Sequence, residues 1–276
     1  MPLATLKKVL AAADARQALC LGFVCQGWED SRAYVRAGEA AGAPVILSAG
    51  PGARANMPVS LWGELFRELA KGATVPVVAH LDHGRTLEEC VSAIEAGFSS
   101  VMIDGSALAL DENIALTNAV TQAARKFGVS VEAEVGQVGY EDGAPSEGTT
   151  LVEAQTFAAQ TQIDALAISV GNLHLQTKDR ARIDWQRLAE IEAVTSVPLV
   201  LHGGSGILPE DRLRLAREHR VRKLNVGTEL RMRFGSTIRA TLEADPALFD
   251  RTTILTKAEP ALAALAQDLL TQSWGQ

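Results

Sequence analysis

The chain has 276 residues, 26 Lys and Arg against 33 Asp and Glu, a net charge of −7, 47% apolar residues and 5% aromatic ones. That balance excludes a disordered or fibrous chain, and it offers neither the basic surface nor the stacking platform of a nucleic-acid binder. No run reaches the roughly 20 apolar residues that cross a bilayer, so neither nucleic acid nor membrane is an expected partner.

The first segment, PLATLKKVLAAADARQ, has its apolar run broken by Asp14 and Arg16, which reads as an amphipathic helix and not a signal peptide. Cysteines at 20, 25 and 90 are odd in number and lack a C-x-x-C spacing. They suggest neither a disulfide framework nor a zinc knuckle, and a reducing cytoplasm is the expected location.

Short Val/Ile/Leu-rich runs then alternate with segments of helical periodicity. Eight strands are expected: ALCLGFV (18–24), APVILSA (43–49), VPVVAH (75–80), SSVMID (99–104), VSVEAE (129–134), DALAISV (164–170), VPLVLH (197–202) and VRKLNV (221–226). Helical segments such as EDSRAYVRAGEAAG, TLEECVSAIEAG, DENIALTNAVTQAARKFG and DWQRLAEIEAV separate them. Eight doubly buried parallel strands predict one α/β domain over residues 1–276, a closed (β/α)₈ TIM barrel with extra N- and C-terminal helices. The last helix, AEPALAALAQDLLTQSW, is expected to cover the barrel or a second subunit. Two βα loops exceed the usual length, VGQVGYEDGAPSEGTT after the fifth strand and GNLHLQTKDRARI after the sixth, and long loops there serve as lids and substrate contacts.

Residues able to do chemistry cluster at the strand ends. Asp82 and His83 follow the third strand, Asp104 ends the fourth and Glu132 and Glu134 the fifth, His174 follows the sixth, and His202 and Asn225 end the seventh and eighth. All fall on the C-terminal face, where barrel enzymes build their active sites. Three histidines from three strands suit a catalytic Zn²⁺ with an open position, so His83, His174 and His202 are the candidate ligands. His80 lies on the strand itself and is read as support beneath the metal, and His219, in REHR, as a solvated surface residue. The loops HGGSGILPED and NVGTELR make Gly203, Gly204, Ser205, Gly227 and Thr228 candidate phosphate donors, since bare N–H groups and a helix N-terminus attract an anion without net positive charge.

With HLDHG (80–84), GFSSVMIDGS (97–106), VEAEVGQVG (131–139), ISVGNLH (168–174), VLHGGSGI (200–207) and KLNVGTELR (223–231), the chain resembles the class II, metal-dependent ketose-bisphosphate aldolases. The resemblance runs from about residue 20 to 245. It implies one catalytic zinc on His83, His174 and His202, Asp82 as acid/base, and Asp104 and Glu134 beside a secondary metal position. It also implies Gly204, Ser205, Thr228 and Lys178 around dihydroxyacetone phosphate, Asn225 beside the reacting carbons, a phosphorylated sugar as substrate, and a homodimer or homotetramer. The cleavage leaves an electron pair beside a carbonyl, which must later be protonated, and Glu141 or Asp142 on the long loop is placed to supply that proton.

The chain departs from the family pattern at several points. Leu175 stands where a glycine usually follows the second zinc histidine, which leaves a monovalent cation in question. Val24-Cys25-Gln26 and Ser48-Ala49-Gly50 replace the usual Asn, Gln and Ser, Tyr140 replaces a loop glycine, and no basic residue follows Lys257, leaving Arg54 as a substitute for a distal phosphate. These changes predict aldol cleavage of a substrate other than fructose 1,6-bisphosphate. A zinc-dependent sugar-phosphate epimerase or isomerase, and a non-catalytic metabolite-binding barrel, remain the alternatives.

Overall fold

The computed structural model describes residues 3–140, 146–174 and 182–275. Its elements run α1 (Leu6–Arg16), β1 (Cys20–Val24), α2 (Trp28–Ala41), β2 (Val45–Ala49), α3 (Pro51–Asn56), α4 (Val59–Gly72), β3 (Val77–Gly84), α5 (Leu87–Glu95), β4 (Ser100–Ile103), α6 (Leu110–Arg125) and β5 (Ser130–Val135). They continue as β6 (Gly139–Tyr140), α7 (Leu151–Gln160), β7 (Ala165–Ile168), β8 (Leu173–His174), α8 (Trp185–Val194), β9 (Leu199–Leu201), α9 (Pro209–Arg217), β10 (Val221–Val226), α10 (Thr228–Ala244) and α11 (Arg251–Trp274). Parallel strands close in the order β1-β10-β9-β7-β5-β4-β3-β2, which is the expected (β/α)₈ barrel. Among the described residues no helix is long and apolar enough to cross a membrane.

The strands are buried almost throughout, as continuous Val/Ile/Leu runs require when helices cover one face and the barrel interior the other. At the N-terminal end the barrel is plugged by α1. Its apolar face of Leu6, Val9, Leu10 and Ala13 is buried, and the chain is pinned where Ala4 N–H donates to the Val77 carbonyl at 2.8 Å and Lys7 N–H to Ser130 Oγ at 3.0 Å. All traffic therefore belongs to the opposite end.

Three features differ from the sequence reading. The connection after β2 is two helices, because Pro58 cannot continue α3 and instead starts α4. The long loops after the fifth and sixth barrel strands are not wholly irregular: β6 and β8 pair in parallel across the mouth, and Gln137 bridges Glu147. The last helix begins at Asp250, which caps Thr253 N–H, and continues through Pro260. It packs on α2 and α10, where nearly buried Glu259 pairs with Arg32 and Arg36 of α2.

Candidate active site and metal centre

The HLDHG segment is part of β3 and not a loop behind it, and a local irregularity gives it its use. Successive strand residues face opposite sides of a sheet, so Asp82 and His83 could not both face inward in regular structure. The pairing of β3 with β4 shifts between Leu81 and Gly84, and His83 takes φ +50°, a left-handed conformation that a residue with a side chain rarely holds. Both side chains consequently line the same cavity of about 270 Å³.

The ring nitrogens of His83, His174 and His202 lie within 4.8 Å of one another, and the ring centroids stand 4.7 to 5.8 Å apart. Hydrogen bonds decide what those nitrogens offer. His83 Nδ1 is 2.8 Å from Asp104 Oδ2, and His202 Nε2 is 3.0 Å from Glu132 Oε1. A carboxylate only accepts, so each of these ring nitrogens carries the hydrogen, and the free lone pairs are His83 Nε2 and His202 Nδ1. Those two atoms face each other at 2.9 Å. In the tautomers so set the two neutral rings would have no hydrogen to share, so either an added proton, which the raised His83 ring takes up, or a metal ion in its place satisfies both. Ligand nitrogens of a tetrahedral zinc sit about 3.3 Å apart, so the site fits a metal with small adjustment. Asp104 and Glu132 are the outer partners that orient such ligands.

Beneath these rings lies a buried polar chain that joins Glu132 and His80, both noted in the sequence, to Lys223 and Ser100, which were not. Lys223 Nζ donates to Glu132 Oε2 at 2.7 Å and Oε1 at 2.9 Å, and stands 3.3 Å from His80 Nε2. His80 Nδ1 meets Ser100 Oγ at 2.9 Å. All four side chains are inaccessible to solvent. A lysine and a glutamate at inward positions of doubly buried strands could have signalled this, because a buried charge needs a partner. His80 thus supports the site from below, as its place on the strand suggested.

The second acidic position gathers His83, Asp104 and Glu134. Glu134 Oε2 lies 3.9 Å from His83 Nδ1 and has no hydrogen-bond partner among the described residues. Burial pushes the Glu134 carboxyl up to about 8. Burial also acts on His83, but the carboxylates of Asp82, Asp104 and Glu134 outweigh it and raise the ring to about 9. Burial would raise Asp104 as well, yet its bonds from His83 and the Ser106 hydroxyl hold it well below the usual carboxylate range. Burial depresses His174 to about 4 and His202 well below an ordinary histidine.

Asp82 is held by Asn225, whose Nδ2 donates to Oδ1 at 3.0 Å. Burial opposes its ionisation, but His83, His202 and Lys223 keep its carboxyl below the ordinary value, so it stands ready to accept a proton. Gly203, Ser205, Gly227 and Thr228 border the same cavity. Ser205 Oγ accepts weakly from Gly227 and Glu229 N–H, each at 3.3 Å, and so ties the two glycine loops together. Gly204 differs from its expected role as a donor: its N–H is spent on the Asn225 carbonyl at 2.8 Å, and a Cβ there would meet Leu224 at 2.4 Å.

Other expectations need correction. Arg54 cannot stand in for a phosphate ligand, because its Nη1 donates to the carbonyls of Ala49 and Asp82 at 2.6 Å and its Nη2 to that of His83 at 3.1 Å. It braces the β3 irregularity from outside. His219 is not solvated; it lies 2.9 Å from Glu192 Oε2 and stacks on Trp185. Glu141, Asp142, Leu175 and Lys178 lie outside the described residues. Asn172 joins the sixth and seventh barrel units, accepting from Val170 N–H at 2.8 Å and donating to the His202 carbonyl at 2.9 Å.

Comparison with known proteins gives a consistent result. A family model described as fructose-bisphosphate aldolase class-II matches residues 4–274. A 6-phospho-5-dehydro-2-deoxy-D-gluconate aldolase of Shouchella clausii is 40% identical over 217 residues, 78% of this chain and 73% of the relative. A fructose-bisphosphate aldolase of Staphylococcus epidermidis is 35% identical over 271 residues, 95% of this chain and 94% of the relative. The crystal structure of the YdjI aldolase from Escherichia coli K12 superposes with a TM-score of 0.86 at 28% identity, covering 98% of this chain and 97% of that one.

Proposed function

Because the chain belongs to the class II fructose-bisphosphate aldolase family, we propose that it reversibly cleaves a ketose phosphate into dihydroxyacetone phosphate and an aldehyde, and that His83, His174 and His202 hold its divalent ion as zinc. The observation that carries this reading is the pair of lone pairs on His83 Nε2 and His202 Nδ1, facing at 2.9 Å beside the Asp82 carboxylate. When bound, the ion supplies a Lewis acid that withdraws electrons from the substrate's ketone.

The remaining steps belong to side chains. Asp82 takes the proton from the hydroxyl two carbons from the ketone, so that this oxygen becomes the carbonyl of the departing aldehyde. The carbon–carbon bond breaks, its electron pair stays on the carbon next to the ketone, and Asn225 keeps Asp82 aimed throughout. Protonation of that carbon falls to Glu141 or Asp142. Gly203, Ser205, Gly227, Thr228 and Lys178 are read as the phosphate site, and Asp104 and Glu134 as a position where an ion can rest away from the lone-pair side of His83.

The altered walls of the cavity, Val24-Cys25-Gln26 and Gly50 among them, support a substrate other than fructose 1,6-bisphosphate. The deoxy-keto-gluconate phosphate named for one group of relatives, which bears a carboxylate in place of a second phosphate, is the first candidate. Three buried thiols, all free, favour a reducing cytoplasm, and a homo-oligomer completes the reading.

Zinc-loaded protein offered fructose 1,6-bisphosphate, tagatose 1,6-bisphosphate and 6-phospho-5-dehydro-2-deoxy-D-gluconate should release triose phosphate, most rapidly from the last. Asp82→Asn should lower kcat roughly 10²- to 10⁴-fold at unchanged zinc content. Zinc binding without triose phosphate from any ketose would overturn the assignment. Equal rates on fructose 1,6-bisphosphate would overturn the substrate choice.

A further inference from the structure

The two glycine loops after β9 and β10 are clamped from behind by a buried arginine. Arg212 lies on the covered face of α9 beside Leu215 and Ala216, behind the loops and outside the lining of the cavity. Its Nη2 donates to Glu229 Oε1 at 3.0 Å and, more weakly, to the Gly204 carbonyl at 3.3 Å. Its buried Nε has no partner among the described residues. A guanidinium never sheds its charge, and burying one of its N–H groups unpaired costs free energy. A leucine would fill that face of α9 at lower cost, so the charge is explained by what it holds and not by packing.

What it holds is the frame of both loops. Gly204 stands between Gly203 and Ser205, which border the cavity. Its backbone is fixed on two sides, the N–H by the Asn225 carbonyl and the carbonyl by Arg212. Glu229 lies in the first turn of α10, directly after Thr228, and its own N–H reaches Ser205 Oγ at 3.3 Å. An acid in the first turn of a helix suits the helix dipole but repels any other anion that gathers at the same end. Among the described residues Arg212 is the one cation that pairs with the Glu229 carboxylate. It holds that carboxylate toward α9 and offsets its charge.

We propose that Arg212 is a positioning residue for phosphate binding. Through Gly204 it sets the loop after β9, and through Glu229 it neutralises a negative charge at the end of α10 where the phosphate of the substrate is held. The inference rests on the reading of Gly203, Ser205, Gly227 and Thr228 as the phosphate site. Without Arg212, the Glu229 carboxylate would compete with that phosphate for the same positive end of the helix.

The test runs the reaction in the condensing direction, which separates the phosphate-bearing ketone from the aldehyde. Zinc-loaded wild type, Arg212→Met, Arg212→Lys and the double variant Arg212→Met with Glu229→Gln are given dihydroxyacetone phosphate. The aldehyde is glyceraldehyde 3-phosphate or 3-oxopropanoate, whichever wild type accepts better. Arg212→Met should raise KM for dihydroxyacetone phosphate about 10-fold or more, with KM for the aldehyde within about twofold, kcat within about threefold and zinc content unchanged. Arg212→Lys, which keeps the charge but loses the fork, should raise it about threefold. Adding Glu229→Gln to Arg212→Met should bring that KM back to within about threefold of wild type, because no unpaired charge remains. An unchanged KM for dihydroxyacetone phosphate in Arg212→Met would overturn the proposal. So would equal rises for both substrates or a loss of zinc, which mark general damage. A double variant no better than Arg212→Met would assign the arginine to packing and overturn it as well. Should Arg212→Met fail to fold, Arg212→Lys decides by the same comparison. Condensation absent from wild type would instead remove the aldolase reading itself, and this inference with it.

Discussion

At the scale of single residues, the geometry separates groups that touch a substrate from groups that hold them in place. Glu132 and Lys223 are positioning residues: their ion pair presents an acceptor to His202 Nε2 and thereby frees Nδ1 toward His83. Glu132→Gln, which can present its N–H to the ring in place of an acceptor, should weaken zinc affinity about 10- to 100-fold in a chelator-competition titration. Unchanged affinity would show that the tautomer of His202 is set elsewhere. The candidate ligands and Asp82 could be picked out of the chain because each is a polar residue at or shortly after the end of an apolar run. The pairing of Glu132 with Lys223 was not legible, since a charge inside a strand says nothing of its partner on another strand 91 residues away. The left-handed φ of His83 was also hidden, because nothing in HLDHG requires it locally. Three carbonyls gripped by Arg54 explain how it is maintained.

At the scale of elements, the barrel strands were readable because each is a continuous apolar run, and most observed limits fall within two or three residues of the expected ones. The β6–β8 pairing was not readable. Its strands are two residues each, and their register is fixed by packing and not by any alternation of side chains. Gly203 governs that packing. It sits at φ +65°, and a Cβ would stand 2.0 Å from the Leu173 carbonyl oxygen, next to the strand residue His174. Gly203→Ala should displace β8, reduce zinc stoichiometry and raise KM, while Gly72→Ala at the end of α4, where a Cβ meets open space, leaves all three unchanged. Metal analysis and kinetics on both variants make the comparison. Full zinc content in Gly203→Ala would show that β8 tolerates the shift.

At the scale of the whole molecule, one apolar core extends from Ala4 to Trp274 and takes in α1 and α11 with the barrel. A single unfolding transition is expected of such a core. The metal-free protein should also respond to pH. His83 is raised to about 9 in the fold, so the stability it contributes is complete below its unfolded value of about 6.5 and is lost as pH climbs through 9. Glu134, raised to about 8, acts in the same direction, because the unfolded chain releases its proton first. His174 and His202 are neutral in the fold throughout, and since unfolded histidines are about half protonated at pH 6.5, the two oppose the fall only at the lower edge of that window. The Tm in chelator should fall between pH 6.5 and 9, and saturating zinc should remove most of the fall by replacing the shared proton. A flat profile in chelator would mean that the facing nitrogens hold no proton.

The plug formed by α1, together with the filled interior above it, has a kinetic meaning. A vessel sealed at its base and solid in its shaft has one doorway, so both halves of a split sugar must depart by the route along which the intact molecule arrived. The fragment nearer the doorway goes first, and the one lodged deeper waits behind it. In the condensing direction the order of arrival is the reverse.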